Sequence, residues 1–132
     1  MGRLLDTSTF IEAERGRLDL PERIAALNRE DIYLSVISVS ELLHGVFRAR
    51  SEFREKRRTT IEGWIAEFPV LNIDVEVARA HAELDAKLKT RGMMIGPNDT
   101  WLAATCLSKN LVIVTANLRE FGRVPSLKVE KW

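Results

Sequence analysis

Short apolar runs alternate with helix-forming stretches along the whole chain, and this alternation restricts the fold more than any other feature. Leu4-Leu5 is the first run, and the helix-capping set Asp6-Thr7-Ser8-Thr9 follows it at once. Asp19-Leu20-Pro21-Glu22 has capping-box spacing and an early proline, so it starts a helix whose buried side is Ile24 and Leu27. Residues 32–37 are nearly all apolar and rich in β-branched side chains, the pattern of a strand buried on both faces. Ser38-Val39-Ser40-Glu41 then opens a helix through Leu42, Leu43 and Val46. A further helix is predicted over residues 51–68, with Phe53, Ile61, Trp64, Ile65 and Phe68 at helical spacing and Pro69 as the stop.

The second half repeats the pattern. Residues 70–73 make a third strand, and Asp74 caps a helix carrying Val77, Leu84 and Leu88 that ends at Gly92. Gly96-Pro97-Asn98-Asp99 turns into a compact helix over residues 101–108, with Asn110 as a left-handed C-cap. Residues 111–114 form another buried strand. Thr115-Ala116-Asn117 follows, then a short helical turn ending near Gly122 and an edge strand over residues 127–129. No repeat or linker interrupts the series. The reading is one α/β domain over residues 1–132, built on a mostly parallel sheet.

Composition narrows the function classes. A 45% hydrophobic and 30% charged content is that of an ordinary soluble domain. A net charge of +1 excludes a chain that binds polyanions through overall charge, so any nucleic-acid surface must be local. Cys106 is the single cysteine, which rules out an internal disulfide and suits a reducing compartment. No apolar stretch precedes Asp6, as a signal peptide would require, and no run nears the roughly 20 residues of a membrane helix. A cytoplasmic protein with no membrane partner is expected.

The acids hold the functional information. Asp6 follows one strand, Glu41 lies in the first turn of the helix after another, and Asn117 follows a third. Asp99 sits in the first turn of a buried helix. Open α/β sheets bind ligands beyond the carboxyl ends of their strands, at the topological switch point. Carboxylates gathered there need a compensating charge, and an oxygen-only ligand set favours Mg²⁺ or Mn²⁺. Neither His44 nor His81 falls in these segments, which argues against zinc. Each acid also has a local role open to it. Asp6 can act as an N-cap, Glu41 can complete a Ser38-x-x-Glu41 capping box, and Asp99 can serve its helix dipole.

Arg48, Arg50, Arg54, Lys56, Arg57 and Arg58 form the strongest basic cluster, which is either a path for a polyanion or a solvated helix face. Lys87, Lys89 and Arg91 form a weaker one. Cys106 and the Trp64/Phe68 stripe read as packing, and the two histidines as structural or surface residues.

Four segments in order resemble the VapC-type toxins of the PIN-domain ribonuclease family: Leu4-Leu5-Asp6-Thr7-Ser8; Ser38-Val39-Ser40-Glu41-Leu42 with Gly45; Gly96-Pro97-Asn98-Asp99 with Leu102-Ala103-Ala104; and Val114-Thr115-Ala116-Asn117 with Arg119-Glu120-Phe121. The resemblance implies a PIN-like three-layer fold with a five-stranded, mostly parallel sheet flanked by helices. It implies Mg²⁺ or Mn²⁺ held by Asp6, Glu41 and Asp99, with Asn117 as an outer ligand. It implies Mg²⁺-dependent endonucleolytic cleavage of single-stranded regions of tRNA, rRNA or mRNA, and inhibition by a cognate VapB-type antitoxin. A homodimer is implied as well. Asp6 and Asp99 would hold the principal ion and Glu41 would complete the shell or orient a bound water. Thr115 would hydrogen-bond a carboxylate or the phosphate, and Arg48, Arg57 and Arg58 would contact RNA. The chain departs from the pattern at Asn117, where many members carry a fourth acid; Glu120 is a candidate substitute. Two alternatives remain. One is a non-catalytic PIN-like module that binds RNA or antitoxin. The other is a phosphohydrolase with Asp6 as nucleophile, although Ser8 stands where such enzymes usually place a second aspartate.

Overall fold

The computed structural model describes residues 1–132, apart from the side chain of Glu30. Strand β1 (Arg3–Leu5) is followed by α1 (Thr7–Glu14), α2 (Leu20–Ala25), a 3-10 turn (Arg29–Asp31) and β2 (Ile32–Ser35). Then come α3 (Val36–Arg48), α4 (Ser51–Glu67), β3 (Val70–Leu71), α5 (Val75–Thr90) and α6 (Pro97–Lys109). Strand β4 (Val112–Val114), α7 (Leu118–Phe121) and β5 (Val129–Glu130) complete the chain.

The sheet has five strands in the order β3-β2-β1-β4-β5, and every pair is parallel. Leu4 stands opposite Tyr33 on one side and Ile113 on the other, so β1 is central. The chain winds outward from β1 to β2 and β3, then returns to β4 on the far side of β1. The topological switch point therefore lies between β1 and β4.

Alternation of side chains along the strands divides the core in two. Leu4, Tyr33 and Ile113 face one layer, packed with Val77, Leu84, Leu88, Leu102 and Phe121 from α5, α6 and α7. Leu5, Ile32, Leu34 and Val114 face the other, packed with Phe10, Leu20, Ile24, Leu42, Val46 and Ile61 from α1–α4. Trp64 and Phe68 belong to this second layer, their rings 5.0 and 6.2 Å from that of Phe10. Phe53, read as part of the same stripe, is exposed.

Several local signals act as the sequence predicts. Asp19 and Asp74 accept from Glu22 N and Val77 N at the starts of α2 and α5. Asn110 adopts φ 56° after α6, and Gly92 adopts φ 64° after α5. The start of α3 differs. Strand β2 ends at Ser35, whose Oγ accepts from Ile37 N at 3.0 Å and caps the helix. Ser38 is thus inside α3, its hydroxyl buried and without a hydrogen-bond partner among the described residues, and no capping box joins it to Glu41. Glu41 lies in the second turn rather than the first. The third strand is shorter than predicted, and the last lies at residues 129–130 rather than 127–129.

Candidate active site

Asp6 leaves the end of β1 at the switch point. Its N–H donates to Val114 O at 2.9 Å, so the backbone is pinned to β4 before α1 begins. It occupies the N-cap position of α1, yet its side chain caps nothing. Instead Oδ2 accepts from Ser8 Oγ and from Thr115 Oγ1, each at 2.7 Å. The residue is only 5% exposed. A buried carboxylate persists where donors are aimed at it, and here one hydroxyl from α1 and one from the end of β4 supply them. The Thr115 proton is thereby committed to Asp6, and its oxygen accepts from Asn117 N at 2.9 Å.

Glu41 is brought to the same end of the sheet by α3, which starts directly from β2. Thr7 Oγ1 donates to Glu41 Oε1 at 3.0 Å, linking α1 to α3.

Asp99 and Glu120 complete the acidic group. Asp99 is half-buried in the first turn of α6. Burial pushes its carboxyl up to about 8, helped by a hydrogen bond to Glu120 and by the negative charges of Asp6, Glu120 and Glu41. Glu120 moves the other way. Its carboxylate is held below the usual range chiefly by the hydrogen bond from Asp99; burial opposes this, and the Asn117 amide, the Gly96 backbone and Arg123 each add a smaller lowering effect. Asn117 therefore stands in the site as a donor to the acid three residues later. Glu120, the candidate substitute for the acid absent at Asn117, is the acid in the first turn of α7 after an amide N-cap.

Asp99 feels the charges of Asp6, Glu120 and Glu41, and the donor atoms of all four acids are oxygen only. That chemistry suits a hard divalent cation, and so does the proton that burial, the Glu120 hydrogen bond and the neighbouring negative charges keep on Asp99. Among the described residues the acids are not gathered into a ready-made cage of three or more ligands. The fit is one of donor type and charge.

Arginines of the basic cluster on α4 are engaged with other partners. Arg48 is exposed at the end of α3. On α4, Arg54 donates to Phe47 O and Ala49 O at the end of α3, Arg57 pairs with Glu14 at 3.1 Å, and the Arg58 guanidinium lies 5.3 Å from the Phe47 ring centre. No described ion pair joins them to Asp6, Glu41, Asp99 or Glu120. His44 is exposed, and His81 stacks on Trp101 at 3.6 Å. Burial pushes the Cys106 thiol well above its ordinary range, with the Asp6 charge adding to the shift, so it is a packing residue rather than a nucleophile.

The PIN domain model matches residues 3–127. The chain belongs to the PIN-domain family. Within it, the similarity falls among the VapC ribonucleases. It is 33% identical to the tRNA(fMet)-specific endonuclease VapC of Salmonella typhimurium, over 98% of this chain and 96% of that one. It is also 33% identical to ribonuclease VapC2 of Haemophilus influenzae, with the same shares of both chains covered. In three dimensions it superposes on a chain of the DNA-bound VapBC crystal structure from Salmonella typhimurium with a TM-score of 0.91 and 32% identity, covering 100% of this chain and 98% of that one. This PIN domain is accordingly a VapC-type nuclease fold with its acids at the β1/β4 switch point.

Proposed function

We propose that the protein is the ribonuclease toxin of a toxin–antitoxin pair and cleaves single-stranded regions of RNA with the help of Mg²⁺ or Mn²⁺. The observation that carries this reading is the burial of Asp99 beside Glu120 and within reach of the Asp6 and Glu41 charges, which together keep a proton on Asp99. Asp6, Asp99 and Glu41 would hold the ion, with Glu120 taking the place of the acid absent at Asn117. When bound, such an ion activates a water and neutralises charge that builds on the phosphate.

The protein's own residues keep the acids in place. Thr7 holds Glu41, Ser8 and Thr115 hold Asp6, and the Asn117 amide and Gly96 backbone hold Glu120. Arg48 and Arg58 supply positive charge for the RNA backbone on the α3–α4 side, whereas Arg57 is engaged with Glu14. The presence of Glu120 weakens the non-catalytic alternative, whose main support is the missing acid.

A tRNA is the substrate class that the Salmonella relative's name points to. A VapB-type antitoxin is the partner that the VapBC structures point to. Phe47 and Phe53, 57% and 58% exposed beside Arg54 and Arg58, suit a protein partner rather than open solvent. A homodimer completes the proposal.

Sequencing the RNA ends that appear after brief expression tests the reading. New ends at discrete single-stranded sites are expected, absent when Asp99→Asn is expressed in parallel. Equal ends from both proteins would remove the nuclease assignment.

A further inference from the structure

Ser8 and Thr115 approach one oxygen of Asp6 from opposite sides of the switch point. Ser8 lies on α1, two residues after Asp6, and Thr115 follows β4. Both hydroxyls lie 2.7 Å from Oδ2, the short distance of a charge-assisted hydrogen bond. A hydroxyl has a single proton to give. The 3.2 Å separation of Ser8 Oγ and Thr115 Oγ1 is therefore the closeness of two donors sharing an acceptor. Each hydroxyl oxygen is in turn fixed by a backbone donor: Ala116 N to Ser8 Oγ at 3.0 Å, and Asn117 N to Thr115 Oγ1 at 2.9 Å. Two relays, each running from a backbone N–H through a hydroxyl to the carboxylate, converge on Oδ2. No described hydrogen bond falls on Oδ1. A helix cap would direct an Asp6 oxygen to an N–H of α1, and none is so directed.

We propose that Ser8 and Thr115 are positioning residues that clamp Asp6 through Oδ2, so that Oδ1 is the one atom Asp6 offers to a divalent cation. The proposal rests on the reading of Asp6 as a metal ligand. The clamp fixes the rotation of the carboxylate plane and leaves Oδ1 as the oxygen that would accept a cation. It also ties the β1–α1 turn to the β4–α7 turn, and so couples Asp6 to the loop that carries Asn117 and Glu120. The Ser8 hydroxyl is consequently a part of the metal site that never touches the metal.

Titration of the full chain with Mn²⁺, following free Mn²⁺ by electron paramagnetic resonance, tests this without any cleavage assay. Partners of metal-ligating groups typically change affinity by about 10- to 100-fold. Ser8→Ala is expected to weaken Mn²⁺ binding by about tenfold or more, Ser8→Thr to stay within about twofold of wild type, and Asp6→Asn to lose most binding. If Ser8→Ala does not fold, Thr115→Val removes the other donor at similar volume and carries the same expectation. If Asp6→Asn binds as tightly as wild type, Asp6 is not a ligand and the underlying reading fails. If Asp6→Asn loses binding while Ser8→Ala keeps it and only melts earlier, the hydroxyl is structural and the clamp is refuted. Equal losses in Ser8→Thr and Ser8→Ala also refute it.

Discussion

Thr7 Oγ1 donates to Glu41 Oε1 at 3.0 Å, joining the first residue of α1 to the second turn of α3. A long glutamate on a helix surface is free to rotate, and this bond selects one position for it. Thr7→Val, which keeps the shape and removes the donor, should lower the cleavage rate about tenfold with little change in KM, the loss of one hydrogen bond to a charged group. Glu41→Gln should cost more, about 100-fold or greater. Single-turnover kinetics on a short RNA separates the two. A Thr7→Val enzyme at the wild-type rate would show that Glu41 needs no such support.

The proton on Asp99 gives the site a defined pH response. Its carboxyl titrates near 8 in the folded protein, against about 3.9 in an unfolded chain. A folded state that binds the extra proton is favoured at low pH. The stability contributed by Asp99 is therefore fully present below about 4 and lost as pH rises through about 8, whereas Glu120, shifted downward, contributes stability that is lost only as pH falls below the ordinary carboxylate range. The metal-free protein should melt at progressively lower temperature across that window. Cation binding requires the ionised form, so Mn²⁺ affinity should climb over the same range and level off above it. Glu120→Gln removes a neighbouring charge and should move the climb to lower pH. A flat affinity profile between pH 5 and 9 would contradict this assignment of the proton.

Two serines at the start of α3 provide a stability test. Ser35 Oγ caps the helix, whereas the Ser38 hydroxyl is buried with no described partner. Ser35→Ala should destabilise the fold by about 1 kcal/mol, the usual loss for a cap. Ser38→Ala should be neutral or slightly stabilising, since it removes an unpaired buried polar group. Urea denaturation of the two variants decides between this pattern and the reverse, which the Ser38-x-x-Glu41 capping box would require.

That pair also shows where the sequence is legible. The strand–helix alternation, the caps at Asp19, Asp74 and Asn110 and the all-apolar strands follow from local chemistry, and the fold follows from them. The residues Val36 and Ile37 look like strand because they are β-branched and apolar. In the structure they open a helix, since packing of α3 against the sheet outweighs their modest strand preference. Asp6 and Asp99 are legible as a pair because both sit at strand or helix ends. Glu120 is legible only as a candidate substitute for the acid absent at Asn117, because its place in the site depends on the α6–α7 approach that lets Asp99 and Gly96 reach it. The paired hydroxyls of Ser8 and Thr115, 107 residues apart in sequence, are visible only once β1 and β4 are adjacent.

The arginines divide by what they already hold. Arg57 bridges α4 to Glu14 on α1, so Arg57→Ala should lower stability by about 0.5–1 kcal/mol and leave RNA binding nearly unchanged. Arg48→Glu or Arg58→Glu should weaken RNA binding and reduce the slope of log affinity against log salt by about 0.7 for each phosphate no longer neutralised. Fluorescence titrations at several salt concentrations, with the Asp99→Asn protein as background, measure both effects. Unchanged slopes in the Arg48 and Arg58 variants would exclude the α3–α4 side from the RNA path.

The proposed toxin's central property is that the acids at the β1/β4 switch point cut RNA. The deciding measurement is the rate of cleavage of one single-stranded RNA by wild-type, Asp6→Asn and Asp99→Asn proteins, each in Mg²⁺ or Mn²⁺ and again with the metal chelated. The wild type should cleave only when metal is present, and both variants should fall by about 100-fold or more, the scale on which loss of a charge-stabilising group acts. Cleavage at the wild-type rate by either variant would refute the assignment.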